Sequence, residues 1–278
     1  RKPNVDGEQI MDFVESEVNK LNNAEEGVKA GPVRFTDFIT EGMEEIEKAT
    51  DGELLGLSTG LANIDEITHG ARPGQLWVTA ARPAMGKSVM MLHQALEVAR
   101  QGGRVLFVNY EMSKLETMHR VAGQVGQIDI GKWMTNSLPQ STKEDVVARL
   151  SEEWLSNFEM MDNAPPTIEA LASMIRREHR RNPLAAVCID YLQLLEVADR
   201  GIKNRVEVVS KITRQLKMLA QELQIIVFTA SQLNRGLEAR ADKTPLMSDL
   251  RESGSIEQDA NVILGLTRPS VYDPSEDP

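Results

Sequence analysis

Cysteine is nearly absent. Cys188 is the single one, which excludes an internal disulfide framework and suits a reducing, cytoplasmic compartment. Histidine is scarce as well. His69, His93, His119 and His179 stand apart with no cysteine at ligand spacing, which argues against a structural zinc site. No apolar run approaches the roughly 18 residues that a membrane-spanning helix needs, and no signal-peptide pattern opens the chain, so no membrane partner is expected. Basic charge is not in excess: 31 Lys and Arg face 42 Asp and Glu, for a net charge of −11. That balance excludes coating nucleic acid through bulk charge. A few arginines and backbone amides can still hold phosphates locally, so any nucleic-acid claim has to come from a motif. The chain opens on Arg1 rather than methionine, as expected of a fragment or a processed chain.

At about 100–200 residues per domain, 278 residues suit one large domain or two small ones. An apolar share of 41 % is enough to bury a core, which excludes a wholly disordered chain. The opening stretch differs from the rest. Ile10, Met11, Val14, Val18 and Leu21 recur at helical spacing, with Asp12, Glu15, Glu17 and Lys20 on the polar side. Asn22-Asn23 and Gly31-Pro32 break that pattern, and a second amphipathic helix follows with Phe38, Ile39, Met43 and Ile46 on one face. Two short helices cannot bury their own stripes. They are expected to dock, on the parent domain or on a neighbouring subunit, so residues 1–55 read as a helical linker segment and 56–278 as the main domain.

From Leu76 onward strands and helices alternate. Apolar runs at 76–80, 105–108, 158–161, 186–189, 225–229 and 262–266 are separated by helical patterns. A helix over 88–100 is stopped by Gly102-Gly103, and Ser113 with Glu116 forms a capping box that opens the next. Ser141 with Glu144 repeats that signature before a helix over 146–155, and a further helix is expected over 168–180. A long helix carries Val206, Val209, Ile212, Leu216, Leu219 and Leu223 on one stripe. Repeated β-α-β units imply an α/β fold with a mostly parallel central sheet flanked by helices. Ligands in such folds bind beyond the carboxyl ends of the strands.

Ala81-Arg82-Pro83-Ala84-Met85-Gly86-Lys87-Ser88 follows a strand and opens a helix, the context that a phosphate-binding loop requires. Its amides and the helix N-terminus present positive dipole to phosphate. Lys87 would counter β- and γ-phosphate charge, and the Ser88 hydroxyl would ligate Mg²⁺. One departure is that Ala81 stands where the usual loop has its first glycine. Asp190 ends the strand at 186–189, where a carboxylate can hold a Mg²⁺-bound water. Glu111 follows the strand at 105–108 and could orient or deprotonate an attacking water. Gln232 follows the strand at 225–229, placed to sense a γ-phosphate. Taken singly, these are also a turn with an exposed lysine, a capping aspartate and a solvated glutamine. Together they bring four strand ends to one edge of the sheet, as a nucleotide hydrolase site would need.

Gly56-Leu57-Ser58-Thr59-Gly60, Asp65, Gly70 and Pro73-Gly74 resemble the entry segment of RecA-like ATPases. The octapeptide with its alanine is similar to the phosphate loop of DnaB-family replicative DNA helicases. So are Asp190-Tyr191-Leu192-Gln193-Leu194, Ser231-Gln232-Leu233-Asn234-Arg235 and the string running from Asp249 to Ala260. The resemblance spans roughly Gly56 to Tyr272. It implies a RecA-like P-loop ATPase that assembles as a homohexamer, moves 5′-3′ along single-stranded DNA and unwinds duplex, with primase and a helicase loader as partners. By the same resemblance Glu111 is the catalytic carboxylate and Asp190 the acidic partner of the metal. Gln232 couples the γ-phosphate to the DNA, and Arg120 lies near the nucleotide. Arg251, Glu252 and Gly254 match loop positions that contact the DNA backbone, Glu252 through its main chain.

Two departures from the family stand out. No collar domain corresponds to the family's N-terminal one, and the only basic residue after Arg251 is Arg268, so the basic finger given to a neighbour's ATP is expected to be missing and the domain truncated. The cluster Arg176, Arg177, Arg180 and Arg181 reads as a solvated helix end rather than a DNA site. The rival readings are a recombination ATPase of the same fold and a truncated nucleotide-binding assembly module without turnover.

Overall fold

Consecutive residues of the central strands enter two different apolar layers. In the computed structural model, which describes residues 34–50, 53–161, 163–199, 201–202, 204–272 and 275, Leu76, Val78, Leu106, Val108, Val187 and Ile189 pack in one layer. Trp77, Val105, Phe107, Ala186, Cys188 and Phe228 pack in the other. A strand buried on both faces needs a continuous apolar run rather than an alternating one, and those runs are what the sequence supplies.

The chain divides into two compact units, Arg1–Gly52 and Glu53–Pro278. In the first, a 3₁₀ turn (Phe35–Phe38) leads into α1 (Ile39–Thr50), and Phe38, Ile39, Met43 and Ile46 are exposed. The stripe from Ile10 to Leu21 lies outside the described residues.

The second unit runs α2 (Ala62–Thr68), β1 (Leu76–Ala81), α3 (Lys87–Arg100), β2 (Val105–Asn109), α4 (Lys114–Gly126), α5 (Ile130–Met134) and α6 (Gln140–Leu150). It continues with β3 (Phe158–Met161), α7 (Ile168–Arg181), β4 (Ala186–Asp190), α8 (Arg205–Leu223) and β5 (Ile226–Gln232). A 3₁₀ segment (Met247–Ser253), α9 (Gly254–Asp259), β6 (Val262–Leu266) and α10 (Pro269–Tyr272) close it. The sheet order is β3-β2-β4-β5-β1-β6, and every pair is parallel. Helices α7 and α8 cover the first layer through Leu171, Ile175, Ile212 and Leu216. Helices α3 and α4 cover the second through Met91, Leu92 and Val121. Phe107 is wholly buried, and truncating such a side chain to alanine costs about 3–5 kcal/mol.

Local signals place most boundaries. Ser113 and Glu116 make both bonds of the capping box at α4, and Thr167 and Asn204 cap α7 and α8. The second expected box does not form. Helix α6 begins at Gln140 with Pro139 at its N-cap and no side-chain cap, and proline carries no side-chain acceptor with which to make one. Ser141 therefore falls inside the helix, which ends at Leu150 and gives way to a 3₁₀ turn (Glu153–Asn157). The entry motif has a structural use: the Asp65 carboxylate accepts from the Ser58 hydroxyl at 2.6 Å and from the Thr59 amide and hydroxyl at 2.8 Å. The arginine-rich end of α7 is a solvated face. Arg176 grips Glu222 at 2.6 and 2.7 Å, and Arg181 meets Glu178 at 3.3 Å. No helix among the described residues is long and apolar enough to cross a membrane.

Candidate nucleotide site

Strand order decides which residues meet at the carboxyl edge. Ala81, the last residue of β1, is in register with Gln232 of β5. Asn109, the last of β2, is in register with Asp190 of β4. Between β1 and α3 the loop takes left-handed φ at Ala84 (+66°) and Gly86 (+99°). Glycine adopts that backbone freely, whereas an alanine is strained by about 1–2 kcal/mol. The turn brings Lys87 to the first position of α3, where the free helical amides favour an anion.

Residues 83–88, Glu111, Arg120, Tyr191, Gln232 and Arg268 line one open pocket of about 560 Å³. Lys87 is half-buried, and its Nζ lies 5.5 Å from the centroid of the Tyr191 ring. Burial lowers the pKa of its ammonium, and the Asp190 and Glu111 charges offset part of that effect. Burial raises the pKa of the Asp190 carboxyl; Glu111 adds to the rise, while the Ser88 hydroxyl, Lys87 and Arg120 oppose it. Tyr191 is raised by burial first and then by the same two carboxylates.

Both carboxylate oxygens of Asp190 are buried without a hydrogen-bond partner. A buried carboxylate in that state is costly unless a cation or donor reaches it. The Ser88 hydroxyl beside Asp190, open toward incoming phosphate oxygens, is a hard oxygen donor set that suits Mg²⁺, which takes one or two protein ligands and keeps several waters. No group of three His, Cys, Asp or Glu that could hold a metal occurs among the described residues.

Most of the sequence-expected residues gather at this pocket. Two do not line it. Ala81 is buried within β1, and the Arg82 side chain reaches away, donating to the Leu233 carbonyl at 2.8 Å and to Glu238 at 2.8 Å. Arg82 therefore ties the phosphate loop to the segment after β5 instead of meeting phosphate. A second cavity of about 350 Å³ is lined on that side by Arg82, Gln193, Arg205, Arg235 and Asp249, and Gln232 borders both cavities.

The segment expected as a DNA-facing loop is helical: Arg251 and Glu252 belong to the 3₁₀ segment, and Gly254 starts α9. Its ends are pinned. Asp249 accepts two bonds of 2.9 Å from Arg240 and one of 2.8 Å from the Leu246 amide, while Ile256 is buried. Sequence reasoning did not place Tyr191 or Arg268 at the phosphate pocket, nor did it single out Asn109. Only Asn109 carried a signal, as an Asx residue just before a turn.

A phosphate loop leaving an interior strand of a six-stranded parallel sheet, with helices on both faces, makes this a RecA-like P-loop ATPase domain. Residues 56–278 match the DnaB-like helicase C terminal domain, and the chain belongs to that family. It is 36 % identical over 281 residues to the replicative DNA helicase DnaB of Leifsonia xyli subsp. xyli, covering 95 % of this chain and 59 % of that protein. It is also 36 % identical over 242 residues to the DnaB of Geobacillus stearothermophilus, covering 85 % of this chain and 53 % of that protein. Among solved structures, an isolated ATPase domain aligns with a TM-score of 0.81 at 34 % identity, covering 89 % of this chain and 88 % of that one. A DnaB-like replicative helicase studied with its primase interactions aligns at 0.79 and 32 % identity, covering 98 % of this chain and 67 % of that one. The chain spans 53 % to 60 % of the length of the curated relatives it matches.

Proposed function

We propose that this chain is the ATP-hydrolysing motor of a cytoplasmic replicative DNA helicase, acting as a homohexameric ring that moves 5′-3′ on single-stranded DNA. The observation that carries it is the convergence of Lys87, Ser88, Glu111, Arg120 and Gln232 on one pocket in a member of the DnaB-like helicase family. ATP is the substrate. The backbone amides of residues 84–88 cradle its phosphates, and Lys87 and Arg120 counter the charge that develops on them. Glu111 is exposed at the pocket's edge, free to take a proton from the attacking water. Ser88 and Asp190 are the residues that would hold Mg²⁺, which would supply fixed positive charge to the phosphates. Gln232 borders both cavities and so reads the γ-phosphate on one side and faces the DNA side on the other. Arg251 and the Gly254 amide contact the DNA backbone, Glu252 joins them through its main chain, and primase and a helicase loader are the protein partners.

The test is calorimetry with Mg²⁺-ADP together with single-turnover hydrolysis. Lys87→Ala loses roughly 100-fold or more in affinity, as removal of one partner from a desolvated charge pair does. Glu111→Gln keeps nucleotide affinity and loses about 10²–10⁴-fold in turnover. Equal Mg²⁺-ADP affinity in wild type and Lys87→Ala would overturn the site.

A further inference from the structure

Glu111 stands over the phosphate pocket, yet its carboxylate makes no hydrogen bond or ion pair among the described residues. Its position is therefore inherited from its backbone, and that backbone is held by one side chain. Asn109 is 4 % exposed and uses its carboxamide on both sides. Its Oδ1 accepts from the Glu111 amide at 3.1 Å and from the Met112 amide at 2.9 Å. Its Nδ2 donates to the Met112 carbonyl and, at 3.1 Å, to the Thr117 hydroxyl. The Thr117 hydroxyl in turn donates to the Ser113 carbonyl at 3.2 Å, anchoring the whole turn on the start of α4. On the opposite side the Tyr110 amide donates to the Asp190 carbonyl at 3.1 Å, and Asn109 is in sheet register with Asp190.

The geometry points to Asn109 as a positioning residue: its carboxamide fixes the turn that carries Glu111 at a set offset from Asp190 and the phosphates. This role rests on the reading of Glu111 as the water-activating carboxylate. A carboxamide suits the turn because the turn presents two amides to accept from and a carbonyl to donate to, and one short uncharged group carries both an acceptor oxygen and a donor nitrogen. Alanine would leave the Glu111 and Met112 amides unpaired in a protected turn. Serine can accept from the amides two residues on, more weakly, through the corresponding hydroxyl turn. Aspartate would accept as well as asparagine does, but it would repel the Met112 carbonyl and add a negative charge beside Asp190.

The experiment is steady-state ATP hydrolysis by the full-length protein, with Mg²⁺-ADP affinity and thermal melting measured in parallel. Asn109→Ala is expected to lower kcat by about 10- to 100-fold, the effect of misplacing a reacting group by a fraction of an ångström to an ångström. KM for ATP and Mg²⁺-ADP affinity should stay within about twofold, since an interaction acting only in the transition state moves kcat alone. Asn109→Ser restores most of kcat, Asn109→Asp does not, and Thr117→Val, which removes one anchor at constant volume, falls between. An unchanged kcat in Asn109→Ala overturns the role. So does a kcat loss that serine fails to recover and that comes with equal losses of ADP affinity and melting temperature. Should Asn109→Ala not fold, normal kcat in both Asn109→Ser and Thr117→Val combined with normal kcat in Asn109→Asp overturns it. Glu111→Gln separates the two layers. Wild-type turnover there removes the catalytic reading itself, whereas lost turnover alongside normal Asn109→Ala removes only the positioning role.

Discussion

The guanidinium of Arg82 meets the Glu238 carboxylate at 2.7 and 2.8 Å across 156 residues of chain. It also holds the Leu233 carbonyl at 2.8 Å, so the residue that starts the phosphate loop grips the segment that follows β5. Lysine cannot replace a fork that serves a carboxylate and a carbonyl together. Arg82→Ala is expected to cost about 1.5–3 kcal/mol, the range for hydrogen bonds to a charged group. For a domain of this size that lowers the melting temperature by roughly 3–12 °C. Glu238 is half-exposed, so Glu238→Ala costs less. A double-mutant cycle on thermal unfolding checks the pair, and strict additivity would show that the contact contributes nothing.

His179 gives a pH dependence with a defined sign. Its Nδ1 accepts from the Leu184 amide at 3.1 Å, which requires the unprotonated nitrogen. Burial, helped by the Arg104 charge, holds its pKa below the ordinary value of 6.5. A group depressed in the folded state contributes stability that is present above its unfolded pKa and lost as pH falls through the folded one. The protein should therefore lose stability below pH 6.5, and His179→Gln, which can accept the same bond without titrating, should flatten that slope. Melting temperatures between about pH 5 and pH 7 decide it; parallel curves for wild type and variant would rule it out.

Arg251 is proposed as a phosphate contact, and such contacts release counterions. Arg251→Ala should weaken binding of every single-stranded sequence about equally and reduce the salt slope by about one contact per engaged subunit. Mg²⁺-ADP affinity should not change. Titrations of labelled single strands at several salt concentrations provide the check. Identical affinities and slopes would place Arg251 in a structural or subunit contact instead.

The four central strands and helices α3, α4, α7 and α8 were legible because burial on both faces forces long apolar runs, and because capping residues such as Ser113 and Glu116 act within one turn. The phosphate loop was legible for the same reason: its amides, Lys87 and Ser88 lie side by side in the chain. The second capping box at Ser141 and Glu144 failed because the helix starts two residues early, with Pro139 at its N-cap. The expected loop at Asp249 to Gly254 became helical because its partners, Arg240 and the buried Ile256, are set by packing.

By itself the sequence determined what is encoded over a few residues: strand runs, caps, a phosphate loop, and the carboxylates and glutamine at strand ends. Which of those ends stand side by side was decided by the strand order β3-β2-β4-β5-β1-β6. That order pairs Ala81 with Gln232 and Asn109 with Asp190. It also turned Arg82 away from the phosphates toward partners more than 150 residues downstream, and it set the Asn109 turn that carries Glu111 against Asp190. Local patterns fix which element forms because backbone hydrogen bonds and caps are short-range. The direction of a long side chain depends on which distant donor or acceptor folding brings within about 3 Å, and only the tertiary structure supplies that.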